Sequence, residues 1–350
     1  MLKYLLKLDN KTRYSMLRYL LPPVRLRMMQ KSNLFLSLTR ACDATCLMCY
    51  RSSMENYTSE HMDRDTLSRA IDIFKRLNKS YMMIHAMGEC LLHPEFDDII
   101  RVLKRDGFSV RISTNGINVN KHMDTLVNVD FLKFSIEGWD AETVRKFRGV
   151  DFERLYDNVK EFWKYSRGKI NYPIMLATAL YKSMTKEDLQ QMVETWGPYV
   201  DQINFGLAKH PVLNNAEPFN PEAIADSNLP EQYKGQFYDE EPSRTPYCSY
   251  VMKGAAIQPN GDVLPCCSDY ANRLVMGNIN KLPFEDIFFG KQAKHLRKEF
   301  YEGKIEQCGN CEKLYEFNDT ILEKFAQYKD YVDKLHQKIK QKSKTNLIKI

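Results

Sequence analysis

The chain has 350 residues, 43% of them hydrophobic and 27% charged, a composition that can bury a substantial core and excludes a disordered or fibrous protein. Nine cysteines, an odd number in a long chain, exclude the small secreted disulfide scaffold, and no uncharged run approaches the roughly 18 residues of a membrane span. The net charge of +6 is uneven, with +7 over residues 1–31 and +6 over residues 334–350, which leaves −7 for the body.

In chain order, the opening Met1-Leu2-Lys3-Tyr4-Leu5-Leu6-Lys7 is too interrupted by charge for a signal peptide, so a cytoplasmic chain with reduced thiols is expected. Residues 1–31 read as a basic amphipathic segment, helical and broken at Pro22-Pro23. It either packs on the body or lies on an anionic membrane surface, which would make the protein membrane-peripheral. Residues 32–210 alternate strand and helix patterns: strands at 33–39, 81–86, 109–113, 131–136, 172–181 and 202–207, and helices at 64–78, 94–104, 121–129, 151–165 and 186–196. Apolar runs separated by helical periods mean parallel βαβ units, and six of them predict an α/β fold, a partial (β/α)6 TIM-like barrel with its chemistry at the strand C-terminal ends. Residues 211–246, rich in Pro, Asn and acids, read as a connecting segment. Residues 247–315 begin a smaller module: Asn260-Gly261 between two apolar runs signals a hairpin, and a helix is expected over 284–301. Residues 316–350 read as a charged helix with a Lys-rich tail. The acidic body argues against nucleic acid as a partner.

Cys42, Cys46 and Cys49 form C-x3-C-x2-C in the loop after the first strand. Structural zinc wants four closed ligands, and no nearby Cys or His completes this set at finger spacing. Three thiolates on one short loop suit three irons of a 4Fe–4S cube, with the fourth iron left open. Here the sequence resembles the radical S-adenosylmethionine (SAM) superfamily, in which this motif binds a cluster whose open iron chelates SAM. Met87-Gly88-Glu89 resembles the family's Gly-Gly-Glu turn, which implies that Glu89 receives the SAM amino group and that Gly88 lets backbone approach closely. The resemblance extends to Asn115 in Ser113-Thr114-Asn115-Gly116, to Ser135 at the end of the fourth strand, and to Arg148. It implies SAM contacts for all three, and an adenine contact for Met48, where relatives carry an aromatic residue. Cys90 stands where relatives often have proline.

Cys248, Cys266, Cys308 and Cys311 form a second set, with the C-x2-C pair following the expected helix. Four thiolates satisfy closed zinc as well as an iron–sulfur cluster, and spacing leaves both open. The segment from Cys248 through Pro265-Cys266-Cys267 and Gly277-Asn278-Ile279 to the C-x2-C pair resembles the SPASM or "twitch" extension, a β-hairpin plus helix holding one auxiliary 4Fe–4S cluster. By that analogy Cys266 ligates, while Cys267, facing the other way along the strand, and Cys90 are packed thiols.

The resemblance implies two 4Fe–4S clusters and SAM, an electron donor such as flavodoxin or ferredoxin, and reductive cleavage of SAM to a 5′-deoxyadenosyl radical. That radical would abstract hydrogen from a small-molecule substrate, carbohydrate or aminocyclitol-like, whose radical is then oxidised through the auxiliary cluster. The alternatives are a peptide-modifying SPASM maturase and a zinc-binding interaction protein without catalysis. No general base is assigned: Glu137, His85 and Tyr181 all lie near strand ends.

Overall fold

The computed structural model describes residues 22–47, 49, 51, 58–85, 87–181, 184–207, 243–244, 248–267, 269, 272–305, 308, 315–316 and 319–347. Its main elements are α1 (Pro22–Gln30), β1 (Asn33–Leu36), α2 (Arg64–Arg76), β2 (Tyr81–Ile84), α3 (Phe96–Arg105), β3 (Ser109–Thr114), α4 (Met123–Leu126), β4 (Phe131–Ser135), α5 (Ala141–Arg148), α6 (Phe152–Ser166), β5 (Ile174–Leu180), α7 (Lys186–Trp196) and β6 (Gln202–Leu207). The C-terminal part adds α8 (Ser249–Lys253), β7 (Gly254–Ile257), β8 (Asp262–Leu264), β9 (Gly277–Asn278), α9 (Phe284–Phe288), α10 (Lys291–Tyr301) and α11 (Asp319–Leu347). The parallel βα succession is that of an open, partial (β/α)6 barrel, the fold class read from the sequence. The chain packs as two compact units that interleave along the sequence: Met1–Ala41, Thr58–Gly88 and Ser243–Tyr315 form one, and Cys42–Tyr57, Glu89–Pro242 and Glu316–Ile350 the other.

In the first unit the strands run β9-β8-β7-β1-β2. The hairpin signalled by Asn260-Gly261 forms as β7 and β8, antiparallel. No sequence pattern signals the next step: β7 hydrogen-bonds in parallel along the whole of β1, from Asn33 opposite Gly254 to Leu36 opposite Ile257. This pairing covers the outer edge of β1, and Leu34, Phe35 and Leu36 are buried in succession, as expected of a strand packed on both faces. Phe35 closes on Ala256 and Leu264, with Tyr250 and Cys267 against them. The expected helix over 284–301 is two helices, α9 and α10, with Gly290 as the N-cap of the second. The break lets Phe284, Ile287 and Phe288 bury on one helix and Ala293, Leu296 and Phe300 on the other.

The second unit holds β3-β4-β5-β6, all parallel. Leu132, Phe134, Ile174, Leu176, Phe162 and Trp196 are fully buried in its core. Two local readings change here. The helix expected over 121–129 contracts to a 3-10 turn, Val119–Lys121, and the short α4. A helix absent from the sequence reading, α5, precedes α6. Its signals are the reciprocal capping box of Asp140 and Thr143 and the left-handed Gly149 at its end.

The C-terminal helix α11 docks on α7 through buried Val332 and His336. Nε2 of His336 donates to the carbonyls of Gly197 (3.1 Å) and Val200 (3.3 Å), Tyr331 donates to Gln190 (3.2 Å), and the Lys340 ammonium lies 3.9 Å from the Trp163 ring centre. Burial lowers the His336 pKa below its ordinary 6.5. The unfolded chain therefore takes up this proton first as pH falls, so the stability that neutral His336 contributes is present above about pH 6.5 and is lost as pH drops below it. The thermal midpoint of the wild type is expected to fall more between pH 7.5 and 5.5 than that of His336→Gln, whose replacement amide does not titrate.

Candidate active site

The eight residues from Cys42 to Cys49 have no regular secondary structure among those described, so their backbone polar groups must find partners elsewhere. The last turn of α5 supplies two: Thr45 N–H donates to the Arg148 carbonyl (3.0 Å) and Leu47 N–H to that of Phe147 (2.8 Å). Close approach requires a glycine next to that turn. Gly149 sits at φ +64°, and a Cβ there would fall 1.8 Å from the Thr45 hydroxyl. A turn from Cys49 N–H to the Cys46 carbonyl (3.0 Å) brings the second and third cysteines together.

The three cysteines pack into one apolar pocket. Ala44, Cys46 and Ile117 form its buried floor, and Cys42, Cys49 and Val150 lie against them. Burial raises the Cys42 thiol and pushes Cys46 up to about 12, against the pull of the Arg148 guanidinium. Thiols so enclosed stay protonated until a metal takes them as thiolates. Among the described residues no three Cys, His, Asp or Glu side chains converge on a single-ion site. A 4Fe–4S cube takes one thiolate on each of three irons, so its sulfurs stand apart and need no such convergence. A set of three sulfurs in an apolar pocket fits that group.

Glu89 lies in the same unit, at the N-cap of a 3-10 turn, Cys90–Leu92. Its carboxylate is 2% exposed. It accepts from the Thr114 hydroxyl (2.8 Å), from Leu91 N–H (3.2 Å) and from Asn115 N–H (2.6 Å). Burial drives its pKa up to about 7, opposed by these three donors. A carboxyl poised there is readily held ionised by a cation. In the other unit, Gly88 at φ +69° backs onto the chain that leads to the cysteines, where a Cβ would fall 2.3 Å from the Thr39 carbonyl oxygen and 2.7 Å from that of Ala41.

Asn115 and Ser135 sit at the C-terminal ends of β3 and β4, where the sequence reading placed the chemistry. Ser135 shares a hydrogen bond with Ser113 (3.1 Å). Arg148 is buried and committed to Glu137 (2.8 Å), whose other oxygen accepts from Ala179 N–H (3.2 Å). This ion pair accounts for Glu137, and Tyr181 is buried and stacked on Phe147 at 4.3 Å; of the three considered as bases, only His85 is exposed. Cys90 is fully enclosed beside Glu89, its thiol 3.9 Å from the Ser113 carbonyl oxygen. Met48 lies outside the described residues.

Three residues absent from the sequence reading belong to the site. Asp43, between the first two cysteines, accepts from the side-chain amides of Asn115 (2.8 Å) and Asn118 (2.6 Å), and Arg154 donates to Asn118 (3.1 Å). No spacing rule marks them, because their partners lie 36 to 75 residues away in sequence.

The second cysteine set lies in the other unit. Cys248 caps α8 and is buried, Cys308 is buried with its N–H on the Ile305 carbonyl (3.0 Å), and half-buried Cys266 follows Pro265 at the end of β8. Cys267 packs with Phe35, Ala256 and Leu264. Cys311 lies outside the described residues.

Residues 36–203 match the model of the Radical SAM superfamily, and residues 248–312 match that of SPASM, an iron–sulfur cluster-binding domain. The chain belongs to the radical SAM superfamily. The two domains imply two 4Fe–4S clusters and SAM as its cofactors. Among its relatives is the tungsten-containing aldehyde ferredoxin oxidoreductase cofactor-modifying protein of Pyrococcus furiosus, 26% identical over 198 residues, which span 55% of this chain and 54% of that protein. The chain thus spans about half the length of that relative. The S-adenosyl-L-methionine-dependent 2-deoxy-scyllo-inosamine dehydrogenase of Niallia circulans is 24% identical over 298 residues, 83% of this chain and 94% of the relative. Among solved structures, anSMEcpe with bound AdoMet matches with a TM-score of 0.55 at 15% identity, over 88% of this chain and 99% of that one. It shares the fold.

Gly88→Ala tests the close approach. It adds a Cβ against two backbone carbonyls at a positive φ, and is expected to cost about 1–3 kcal/mol of stability, read as a fall in the thermal unfolding midpoint.

Proposed function

We propose that this radical SAM protein is an oxidoreductase of the dehydrogenase type. It would remove hydrogen from a small carbohydrate- or aminocyclitol-like molecule and pass the electron left behind to the auxiliary cluster. The observation that carries the reading is the pairing of three enclosed thiols with a buried carboxylate held by the same residue, Asn115, that reaches the cysteine loop. The relative named as an aminocyclitol dehydrogenase, aligned over 94% of its own length, supports the substrate class.

In this reading Cys42, Cys46 and Cys49 hold the SAM cluster, and Cys248, Cys266, Cys308 and Cys311 the auxiliary one. Bound together, the reduced cluster and SAM supply a 5′-deoxyadenosyl radical, the agent of hydrogen abstraction. The chain's own residues orient and enclose. Glu89 would present a desolvated carboxylate to the SAM ammonium, and Gly88 lets its own backbone pack against the Thr39 and Ala41 carbonyls. Asn115, Ser135 and Arg148 would supply further SAM contacts, and Met48 the adenine contact that the resemblance implies. Arg148, tied to Glu137 and lending its carbonyl to Thr45, steadies the cysteine loop. Turning a secondary alcohol into a ketone removes two hydrogens, one as an atom to the radical and one as a proton plus an electron, and the auxiliary cluster is the electron's destination. A low-potential flavodoxin or ferredoxin would supply the first electron.

The anaerobic wild type should be brown, hold about eight irons per chain and cleave SAM with dithionite. Cys46→Ala should retain about four irons and lose SAM cleavage, whereas Cys248→Ala should retain about four and keep it while losing substrate oxidation. Colourless protein with stoichiometric zinc overturns the reading.

No helix among the described residues is long and apolar enough to cross a membrane. The basic ends fit a peripheral contact with anionic lipid. Because His336 anchors α11, truncation at 334 would disturb the fold, and Lys342→Glu with Lys344→Glu and Lys349→Glu is the cleaner test. Binding to anionic vesicles should fall with SAM cleavage unchanged.

A further inference from the structure

The second unit contains a polar relay that ends on Glu89 and whose other members, Asp43, Asn118 and Arg154, have no role in the proposed reaction. Asn115 is 6% exposed and works in two directions. Its main-chain N–H holds the Glu89 carboxylate at 2.6 Å. Its side-chain Nδ2 donates to Asp43 Oδ1 at 2.8 Å and lies 4.0 Å from Cys42 Sγ, while its Oδ1 accepts from Ile117 N–H at 3.0 Å, which fixes the direction of the amide. The other oxygen of Asp43 accepts from Asn118 Nδ2 at 2.6 Å, and Arg154 donates to Asn118 Oδ1 at 3.1 Å. Each side-chain oxygen and amide that faces another in this chain is paired with the opposite function, from Arg154 through Asn118, Asp43 and Asn115 to Glu89. The cysteine loop thereby receives a second anchor besides the end of α5.

We propose that Asp43 and Asn115 act as positioning residues: they lock the loop carrying Cys42 and Cys46 to the strand end that holds Glu89, and so fix the cluster against the carboxylate that receives SAM's ammonium. This inference rests on the proposed SAM-binding role of Glu89 and the three cysteines. SAM is gripped at two points, by an iron and by Glu89, and a two-point grip is tight only when the spacing between the points is preset. An N–H directed at a ligating sulfur also tunes the cluster's potential.

The hydrogen-bond logic gives a specific test. Asp43→Asn turns one acceptor into a donor that faces an amide donor, and Asn115→Asp sets two carboxylates against each other. Together the two substitutions restore the pattern, because the amide at 43 donates to the carboxylate at 115 and accepts from Asn118. Reconstituted anaerobically, each single variant is expected to hold as much iron as the wild type and bind SAM at least about tenfold more weakly. Each should also show an altered EPR spectrum of the reduced cluster on SAM addition. The double variant should bind within about threefold of the wild type. Asn115→Ala, which keeps the main-chain N–H to Glu89, should also weaken SAM binding, with far-UV circular dichroism unchanged.

Single variants that bind SAM as tightly as the wild type overturn the proposal. So does a double variant no better than the worse single, since the pairing would then not be what matters. A wild type that fails to bind SAM would instead strike the reading on which the proposal rests.

Discussion

A short loop that must hold three thiols cannot hold itself. The described residues from Cys42 to Cys49 have no ladder of their own, and backbone groups left unpaired in an apolar pocket would each cost free energy of the order of a lost hydrogen bond. The second unit meets this constraint from outside. The last turn of α5 takes two loop N–H groups, Gly149 permits the contact, and the Asp43–Asn115 bond takes the loop's carboxylate. Of these supports Asn115 stands at the C-terminal end of β3, the edge at which parallel α/β folds gather their chemistry.

Buried charge is the second organising feature. Arg148 and Glu137 are both nearly inaccessible and satisfy one another. Such a pair adds little net stability, since desolvation offsets most of the attraction, but removing one partner typically costs about 3–5 kcal/mol. Their value lies in position: Arg148 offers its carbonyl to Thr45 while its guanidinium, held by Glu137, keeps positive charge near Cys46. Glu89 is handled differently. Its hydrogen bonds come from neutral donors, the Leu91 and Asn115 N–H groups, the Thr114 hydroxyl and the Cys90 thiol, while burial holds its pKa up at about 7, which leaves it receptive to an ammonium ion. Two buried carboxylates in one unit are thus set apart by their neighbours, one paired and one receptive.

The accessory module is built into the first unit rather than appended to it. Because β7 pairs along the whole of β1, the hairpin that comes after Cys248 shares a sheet with the strand that leads into the first cysteine motif. The spacing of Cys248, Cys266 and Cys308 shows none of this, since sheet pairing between segments more than 200 residues apart depends on edges that only the fold brings together.

The sequence by itself determined the features that obey local rules. The alternation of apolar and helical periods set the six βα units, with α7 and β6 matching their expected bounds to the residue. The cysteine spacing named the metal chemistry, and Asn260-Gly261 the hairpin. The α5 helix was legible too, through Asp140, Thr143 and Gly149, although a helix of only eight residues is easily passed over as a loop. Tertiary structure decided the rest. Arg148 pairs with Glu137, because a guanidinium so buried is costly to leave unpaired. Asp43, an unremarked residue between two cysteines, became the loop's second anchor because Asn115 and Asn118 meet it from about 70 residues away. Spacing in sequence can specify which groups bind a metal, but the groups that hold the binders in place are chosen by proximity in space, and no local pattern records that.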